Sequence, residues 1–211
     1  MTTPIRINDF TKEEASLLPA VNNLSNYPTN SPLDLENKLY HLIDQIRTNE
    51  IEQAQKEGRE YHIHGLCAVL GYDPKHHAEY FTMPVGDDLF TKKNIYLDDL
   101  QALETLQQAM AIDGAILINS EGKIVHSGRF MQADLRIYSR HETALSTYRQ
   151  LRETADAGTR HLAAIALSAQ LPNLSFYTLK SDHPQLRVFR NGSIVSSTIL
   201  DEVITGQPKA T

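Results

Sequence analysis

Apolar positions along this chain keep two rhythms, three- and four-residue steps in some stretches and short unbroken or alternating runs in others. Leu35, Leu39, Leu42 and Ile46 set the first helical stripe. Its start carries local chemistry: Ser31 can cap, Pro32 suits the first helical position, and Asp34 lies three residues after the cap. This helix is expected to run to about Gly58, and its stripe must pack on either the main domain or a second copy of the chain. Leu100, Leu103, Leu106 and Met110 predict a second amphipathic helix, which leads directly into Ile112-Asp113-Gly114. Ser139 with Glu142 repeats the capping-box pattern, and Leu145, Tyr148, Leu151 and Ala155 carry a stripe to about Asp156. A helix rich in Ala, Ile and Leu follows Gly158 and reaches Leu171, apolar enough for burial on most faces.

The strand rhythm appears at 115–119, a buried strand, then in a turn at Glu121-Gly122 and a returning strand at 123–127. Further short strands are expected at 175–179, 187–190 and 193–200, the last two joined by Asn191-Gly192, a strong two-residue hairpin signal. From 61 to 94 the pattern is ambiguous. Tyr61-His62-Ile63-His64 alternates and the run 65–71 is apolar, which suits a strand or a buried helix equally. Residues 1–30 are polar and turn-rich, with Pro4, Pro19 and Pro28, and read as a flexible leader; the end after Gly206 reads as frayed. Helices interleaved with short strands predict an α/β domain over 95–205, preceded by an N-terminal helical extension at 31–94.

With 41% hydrophobic and 22% charged residues among 211, the chain has the make-up of a folded protein. A formal net charge of −6 argues against broad nucleic-acid binding, yet a small anion needs only a local cluster of donors. Cys67 is the only cysteine, so no intramolecular disulfide can form, and it reads as a small core residue. No apolar run approaches the ~20 residues needed to span a bilayer, and no basic stretch leads into an apolar core at the N-terminus. The expectation is a cytoplasmic protein without membrane insertion.

Two short motifs carry candidate chemistry. Asp113-Gly114-Ala115 sits where a helix ends and a buried strand begins; there an acid beside a glycine either forms a simple turn or holds a metal ion or hydroxyl against a closely approaching ligand. Gly158-Thr159-Arg160-His161 heads the Ala-rich helix, where unpaired N–H groups and the helix dipole suit phosphate; the plainer alternative makes Thr159 a helix cap and Arg160 a solvated cation. His62, His64, His76 and His77 do not complete a metal-ligand motif with an acid or cysteine, so a surface or core role is expected for them. Arg140, His141, Arg149 and Arg152 on the 139–156 helix read as a solvated face rather than a pocket rim.

In order and placement, D-G-A at a strand start, G-T-R-H at the head of an Ala-rich helix, and Ser181-Asp182 after a strand resemble the diadenylate cyclase domain family, whose hosts include the DNA-integrity scanning protein. The resemblance covers roughly 95–200. It implies a mixed central β-sheet flanked by helices that binds ATP with a divalent metal, Mg or Mn. It also implies two domains face to face in a homo-oligomer, condensing two ATP into the second messenger cyclic di-AMP with release of pyrophosphate. On this resemblance Asp113, Arg160 and His161 are catalytic, Gly114, Ala115, Gly158, Thr159 and Ser181 bind nucleotide, and Asp113 and Asp182 hold the metal. The chain departs from the pattern twice: Leu162 follows Arg160-His161 where the family run continues R-H-R, and Asp182 stands where Glu is common. Leu162 keeps open a second reading, a domain that binds ATP or a cyclic nucleotide without chemistry and reports to a partner.

Overall fold

The computed structural model describes residues 31–82, 93–153 and 158–199. The leader expected at 1–30, the end of the last strand and the frayed tail from 200 on, and Ala155-Asp156 lie outside them. The architecture is a mixed α/β fold: an eight-stranded sheet in the order β2-β5-β4-β1-β6-β7-β8, with β3 paired to β5. The strands are β1 Leu66–Leu70, β2 Phe81–Thr82, β3 Ile95–Tyr96, β4 Ala115–Ile118, β5 Lys123–Met131, β6 Ser175–Leu179, β7 Leu186–Arg190 and β8 Ser193–Ser197. The helices are α1 Pro32–Glu57, α2 Pro74–His77, α3 Ala102–Met110, α4 Glu142–Glu153 and α5 Thr159–Gln170.

β1 settles the ambiguous segment as a strand. All five of its residues are buried, because it lies between β4, parallel to it, and β6, antiparallel to it. A strand covered on both faces has no alternation to display. Part of the expected helical extension at 31–94 thus forms the middle of the sheet.

Two apolar layers cover the sheet. On one face α1 and α3 bring Leu35, Leu39, Ile43, Ile46, Leu106 and Met110 against Leu66, Ala68, Ile116 and Tyr177. On the other, Ala144 and Leu151 of α4 and Ala164, Ile165 and Leu167 of α5 pack on Cys67, Val69, Ala115, Phe176 and Phe189. The capping box at Ser31 forms as its residues predict: Asp34 N donates to Ser31 Oγ at 3.2 Å and Ser31 N donates to Asp34 Oδ2 at 3.3 Å. Gly58 ends α1 in the left-handed region at φ 64°. The stripe of α1 therefore packs on the sheet of its own chain, and Glu36 adds an ion pair with Arg190 on the sheet.

Three local expectations shift. Leu100 lies outside α3 and is fully exposed, so the buried face of that helix is Ala102, Thr105, Leu106, Ala109 and Met110. Ser139 does not cap α4. Its hydroxyl donates to Arg136 O at 2.8 Å within a 3-10 turn, Leu135–Ser139, and His141 Nδ1 accepts Ala144 N at 3.2 Å instead. The α4 stripe accordingly rotates to Ala144, Thr147 and Leu151. Arg140, Arg149 and Arg152 lie exposed, as the solvated-face reading expects. The hairpin at Asn191-Gly192 forms with φ 51° and 73°, the doubly left-handed turn this pair favours.

Gly114 is fixed by both conformation and space. Its φ is +114°, and a Cβ there would lie 2.6 Å from the carbonyl carbon of Gly128 and 2.8 Å from Arg129 N. Those atoms are backbone of β5, where the register with β4 slips between Ala115 and Leu117, so they cannot give way cheaply. Backbone strain and overpacking together put the cost of Gly114→Ala at about 3 kcal/mol. Thermal denaturation should then show a midpoint about 6–12 °C lower; an unchanged midpoint would contradict this packing.

Candidate functional site

The sheet's register decides which chain ends meet. β1 and β4 run in parallel with Ala68 opposite Ile116, so Gly65 and Gly114 precede their strands at one edge. β6 runs the other way with Leu179 opposite Leu66, so Lys180 and Ser181 leave their strand at that same edge. The first turn of α5 completes it: Gly158 caps the helix through extended backbone, with no side-chain capping bond, and Thr159 is the exposed first residue of the helix.

Arg160 ties these pieces together. Its Nη2 donates to Asp113 Oδ1 at 2.6 Å and its Nη1 donates to the Gly65 carbonyl at 2.9 Å. Asp113 Oδ1 also accepts the Gly114 N–H at 2.9 Å, which turns the carboxylate toward the strand start. Two residues 47 apart in sequence thus form one ion pair, with 77% of the Asp113 side chain and 35% of the Arg160 side chain exposed. A pair so open to water contributes about 0–1 kcal/mol, which leaves both groups available for exchange with a ligand.

Ser181 stands next to this pair. Its carbonyl accepts Ile63 N–H at 3.0 Å, and its Cβ lies 3.6 Å from where a Cβ on Gly65 would be. Asp182 is exposed, 3.7 Å from Lys180 Nζ and 3.9 Å from His183 Nε2. Ala115 is fully buried opposite Arg129. His161 turns inward: it is 3% exposed, edge-on to Phe189 with ring centroids 6.1 Å apart. The structure therefore gathers Asp113, Gly114, Arg160 and Ser181 at one sheet edge, with Gly158, Thr159 and Asp182 exposed and His161 on the buried face of α5.

Two other sequence candidates take no part in this ion pair. The thiol of Cys67 is buried and lies 3.6 Å from Met131 Sδ; burial pushes it up to about 12, the nearby Arg160 cation opposing this more weakly. It stays protonated at neutral pH and serves as core. His62 and His64 are exposed in an irregular stretch, and His76 faces Asp73 at 3.7 Å. Among the described residues no group of three or more His, Cys, Asp or Glu side chains is placed to hold a metal.

Gly65 joins the candidate site unflagged by the sequence pattern, because it meets Arg160 through its carbonyl and its missing side chain. A Cβ there would lie 2.4 Å from Arg160 Nη1, the far end of a flexible side chain rather than backbone. Gly65→Ala should therefore keep the fold and displace the guanidinium. An Arg160 that still paired with Asp113 in a crystal structure of the variant would contradict this.

No protein-family model matches the chain. The motifs and the edge they build define a domain that resembles the diadenylate cyclases, and similarity along the sequence supports the same family. A curated relative, the diadenylate cyclase of Methanocaldococcus jannaschii, is 29% identical over 170 residues, covering 76% of this chain. The chain spans about half the length of that relative, 49%. Among solved structures, a hypothetical membrane spanning protein from Bacillus cereus superposes with a TM-score of 0.47 at 16% identity, covering 75% of this chain and 61% of its own. A double mutant of DacA from Staphylococcus aureus gives 0.45 at 15% identity, covering 79% of this chain and 87% of its own. Among the described residues no helix is long and apolar enough to cross a membrane.

Proposed function

We propose that this edge binds ATP and that the domain is a diadenylate cyclase, condensing two ATP into cyclic di-AMP across a face-to-face homo-oligomer. The observation that carries the reading is the meeting of Asp113 and Arg160 at 2.6 Å beside the open N-terminus of α5. It puts an acid, a cation and free helical N–H groups within one nucleotide's reach.

In this reading the triphosphate draws Arg160 away from Asp113, and the exposed amides at Gly158 and Thr159 take the remaining phosphate oxygens. Gly114 lets the ribose approach the backbone, and Ser181 flanks it. The freed Asp113 carboxylate helps activate the 3′-hydroxyl of its own ATP. That oxygen bonds to the partner's α-phosphorus as the bond to pyrophosphate breaks. Two such steps, related by a two-fold axis, close the ring and release two pyrophosphates, which suits an isologous assembly. Asp113 and Asp182 would hold Mg or Mn. Two exposed carboxylates, grouped with no third ligand among the described residues, suit a hard ion that completes its shell with water and phosphate oxygens. When bound, the ion supplies neutralisation of phosphate charge and polarisation of the hydroxyl. A cytoplasmic source of the second messenger is the setting this reaction fits.

Leu162 favours a second reading. It stands where the family's run places another cation, and it is half-buried with its carbonyl accepting Tyr138 Oη–H at 2.7 Å. With fewer cations at the phosphates, the same edge can bind a nucleotide without turning it over and report occupancy to a partner.

Incubation with ATP and Mg or Mn, followed by mass spectrometry, tests the cyclase: cyclic di-AMP with two pyrophosphates per product supports it. Absence of product alongside ATP or cyclic-nucleotide binding favours the sensor, and absence of both ends the nucleotide reading. Arg160→Ala should weaken ATP binding by roughly 1.5–3 kcal/mol, one charge-assisted hydrogen bond, read by calorimetry. Equal affinity would remove Arg160 from the phosphate contacts.

A further inference from the structure

Residues 59–65 link α1 to β1 and belong to neither helix nor strand, yet they end on Gly65, whose carbonyl receives Arg160 Nη1. Glycine accepts many backbone conformations, so Gly65 does not by itself aim that carbonyl. From one side β1 fixes it, through the pairing of Leu66 with Leu179. From the other side it depends on how 59–64 are held. Tyr61 is buried, 5% exposed, and Ile63 packs against the core layer of α1, while His62 and His64 stay exposed. Apolar burial is non-directional: it keeps the segment on the protein without setting the turn of its peptide groups. Hydrogen bonds must set that.

They come from two places. Ile63 N donates to Ser181 O at 3.0 Å, which joins the segment to the end of β6. The other acceptor is Glu50 of α1: its Oε1 accepts Arg59 Nη1 at 2.6 Å and the backbone N–H of His62 at 3.3 Å. Arg59 is gripped at a second point, its Nε donating to Glu57 Oε2 at 2.6 Å, so the guanidinium folds back on the helix. The Glu50 side chain is 14% exposed, against 77% for Asp113, so water and salt compete far less for its oxygens. One carboxylate thus ties the first and fourth residues of the segment, and the three residues from there to Gly65 span at most about 10 Å.

We infer that Glu50 is a positioning residue: through Arg59 and the His62 N–H it orders 59–65, so that the Gly65 carbonyl meets Arg160 Nη1 and sets where the guanidinium rests. α1 then does more than cover the sheet, because its own carboxylate supports the candidate site from a distance. The two arms of Arg160 divide the work. Gly65 anchors Nη1, while Nη2, paired with the exposed Asp113, is the arm free to exchange with a ligand. An anchored guanidinium needs less ordering when the ligand arrives. What Arg160 binds rests on the nucleotide reading of this edge; where Arg160 rests does not.

Side-chain nitrogen–proton spectra of isotope-labelled, ligand-free full-length protein test the positioning directly, with the Arg160 guanidinium signal assigned by its loss in Arg160→Lys. In the wild type that signal should be shifted and slow to exchange with water. Glu50→Ala should move it toward a solvated guanidinium and speed its exchange, and Glu50→Gln, which keeps an oxygen acceptor, should restore most of it. An unchanged Arg160 signal in folded Glu50→Ala overturns the proposal, and so does a Glu50→Gln no closer to the wild type than Glu50→Ala. Ile46→Val separates positioning from stability: it trims the α1 core, so it should lower the thermal midpoint and leave the Arg160 signal in place, and a shift there as large as in Glu50→Ala also overturns the proposal. ATP titration, run well below the midpoints, adds the functional readout. If the wild type binds ATP, Glu50→Ala should bind about fivefold more weakly, the scale of one ordinary hydrogen bond, with affinity recovered in Glu50→Gln; unchanged affinity in Glu50→Ala overturns the link from Glu50 to the ligand. If the wild type binds neither ATP nor a cyclic nucleotide, the nucleotide reading fails, while the Arg160 signal still decides whether Glu50 positions the guanidinium.

Discussion

Asp113→Asn should lower cyclic di-AMP formation by about 10²-fold or more, the scale of losing one positioned acid–base group, while leaving most of the ATP affinity in place. The asymmetry follows from what each atom of the carboxylate does. Asp113 Oδ1 accepts from Arg160 Nη2 and from the Gly114 N–H, and an amide oxygen can accept both bonds, so the strand start and the guanidinium stay where they are. What Asn removes is the negative charge, on which the proposed metal contact and the proposed activation of the hydroxyl both depend. The exposed pair is worth too little to the fold for the change to act through stability. Product by mass spectrometry and ATP affinity by calorimetry, measured on one preparation, are the readouts. Undiminished product would take Asp113 out of the chemistry. A parallel loss of binding and product would mean that the residue serves to shape the pocket.

What the sequence makes visible is whatever is encoded within a few residues. The capping box at Ser31 and Asp34, the doubly left-handed turn at Asn191-Gly192 and the stripe of α1 are of this kind. The failures share the opposite property. β1 is unbroken apolar sequence because both its faces are covered, so no period separates strand from helix. Ser139 with Glu142 has the residues of a capping box, yet the preceding chain turns into a 3-10 segment that claims the hydroxyl, and His141 takes over the cap. Leu100 has the right spacing for α3 but lies before the helix starts.

The edge itself divides in the same way. Asp113 with Gly114, and Gly158 with Arg160, are recognisable as motifs; that they face each other depends on β1 running parallel to β4 and α5 packing across the sheet. Gly65 contributes a carbonyl and an absent side chain, neither of which leaves a mark in the residue pattern. Arg187 reads as one more charged residue in a short strand, yet β7 lies between β6 and β8 and Arg187 is buried.

Removal of residues 1–58 is expected to abolish folding rather than to change only how copies assemble. Leu35, Leu39, Ile43 and Ile46 are each at most 3% exposed, and they pack in the same layer as Leu66, Ala68, Ile116 and Tyr177 of the central strands. Burying one such side chain contributes about 1.5–3 kcal/mol. Four of them together match the whole net stability of an ordinary domain, about 5–15 kcal/mol, before the bare sheet face is charged for its exposure to water. Polar ties add to this, since Glu36 pairs with Arg190 and its carbonyl accepts Tyr177 Oη–H at 3.3 Å. The same arithmetic at one position predicts that Leu39→Ala, at a fully buried site, costs about 2–5 kcal/mol. Circular dichroism and thermal denaturation of the truncated chain decide the matter: a cooperative transition near that of the full chain would show that α1 is an appendage after all. A chain without a cooperative transition would place α1 among the elements that hold the edge of Asp113, Arg160 and Gly65 together.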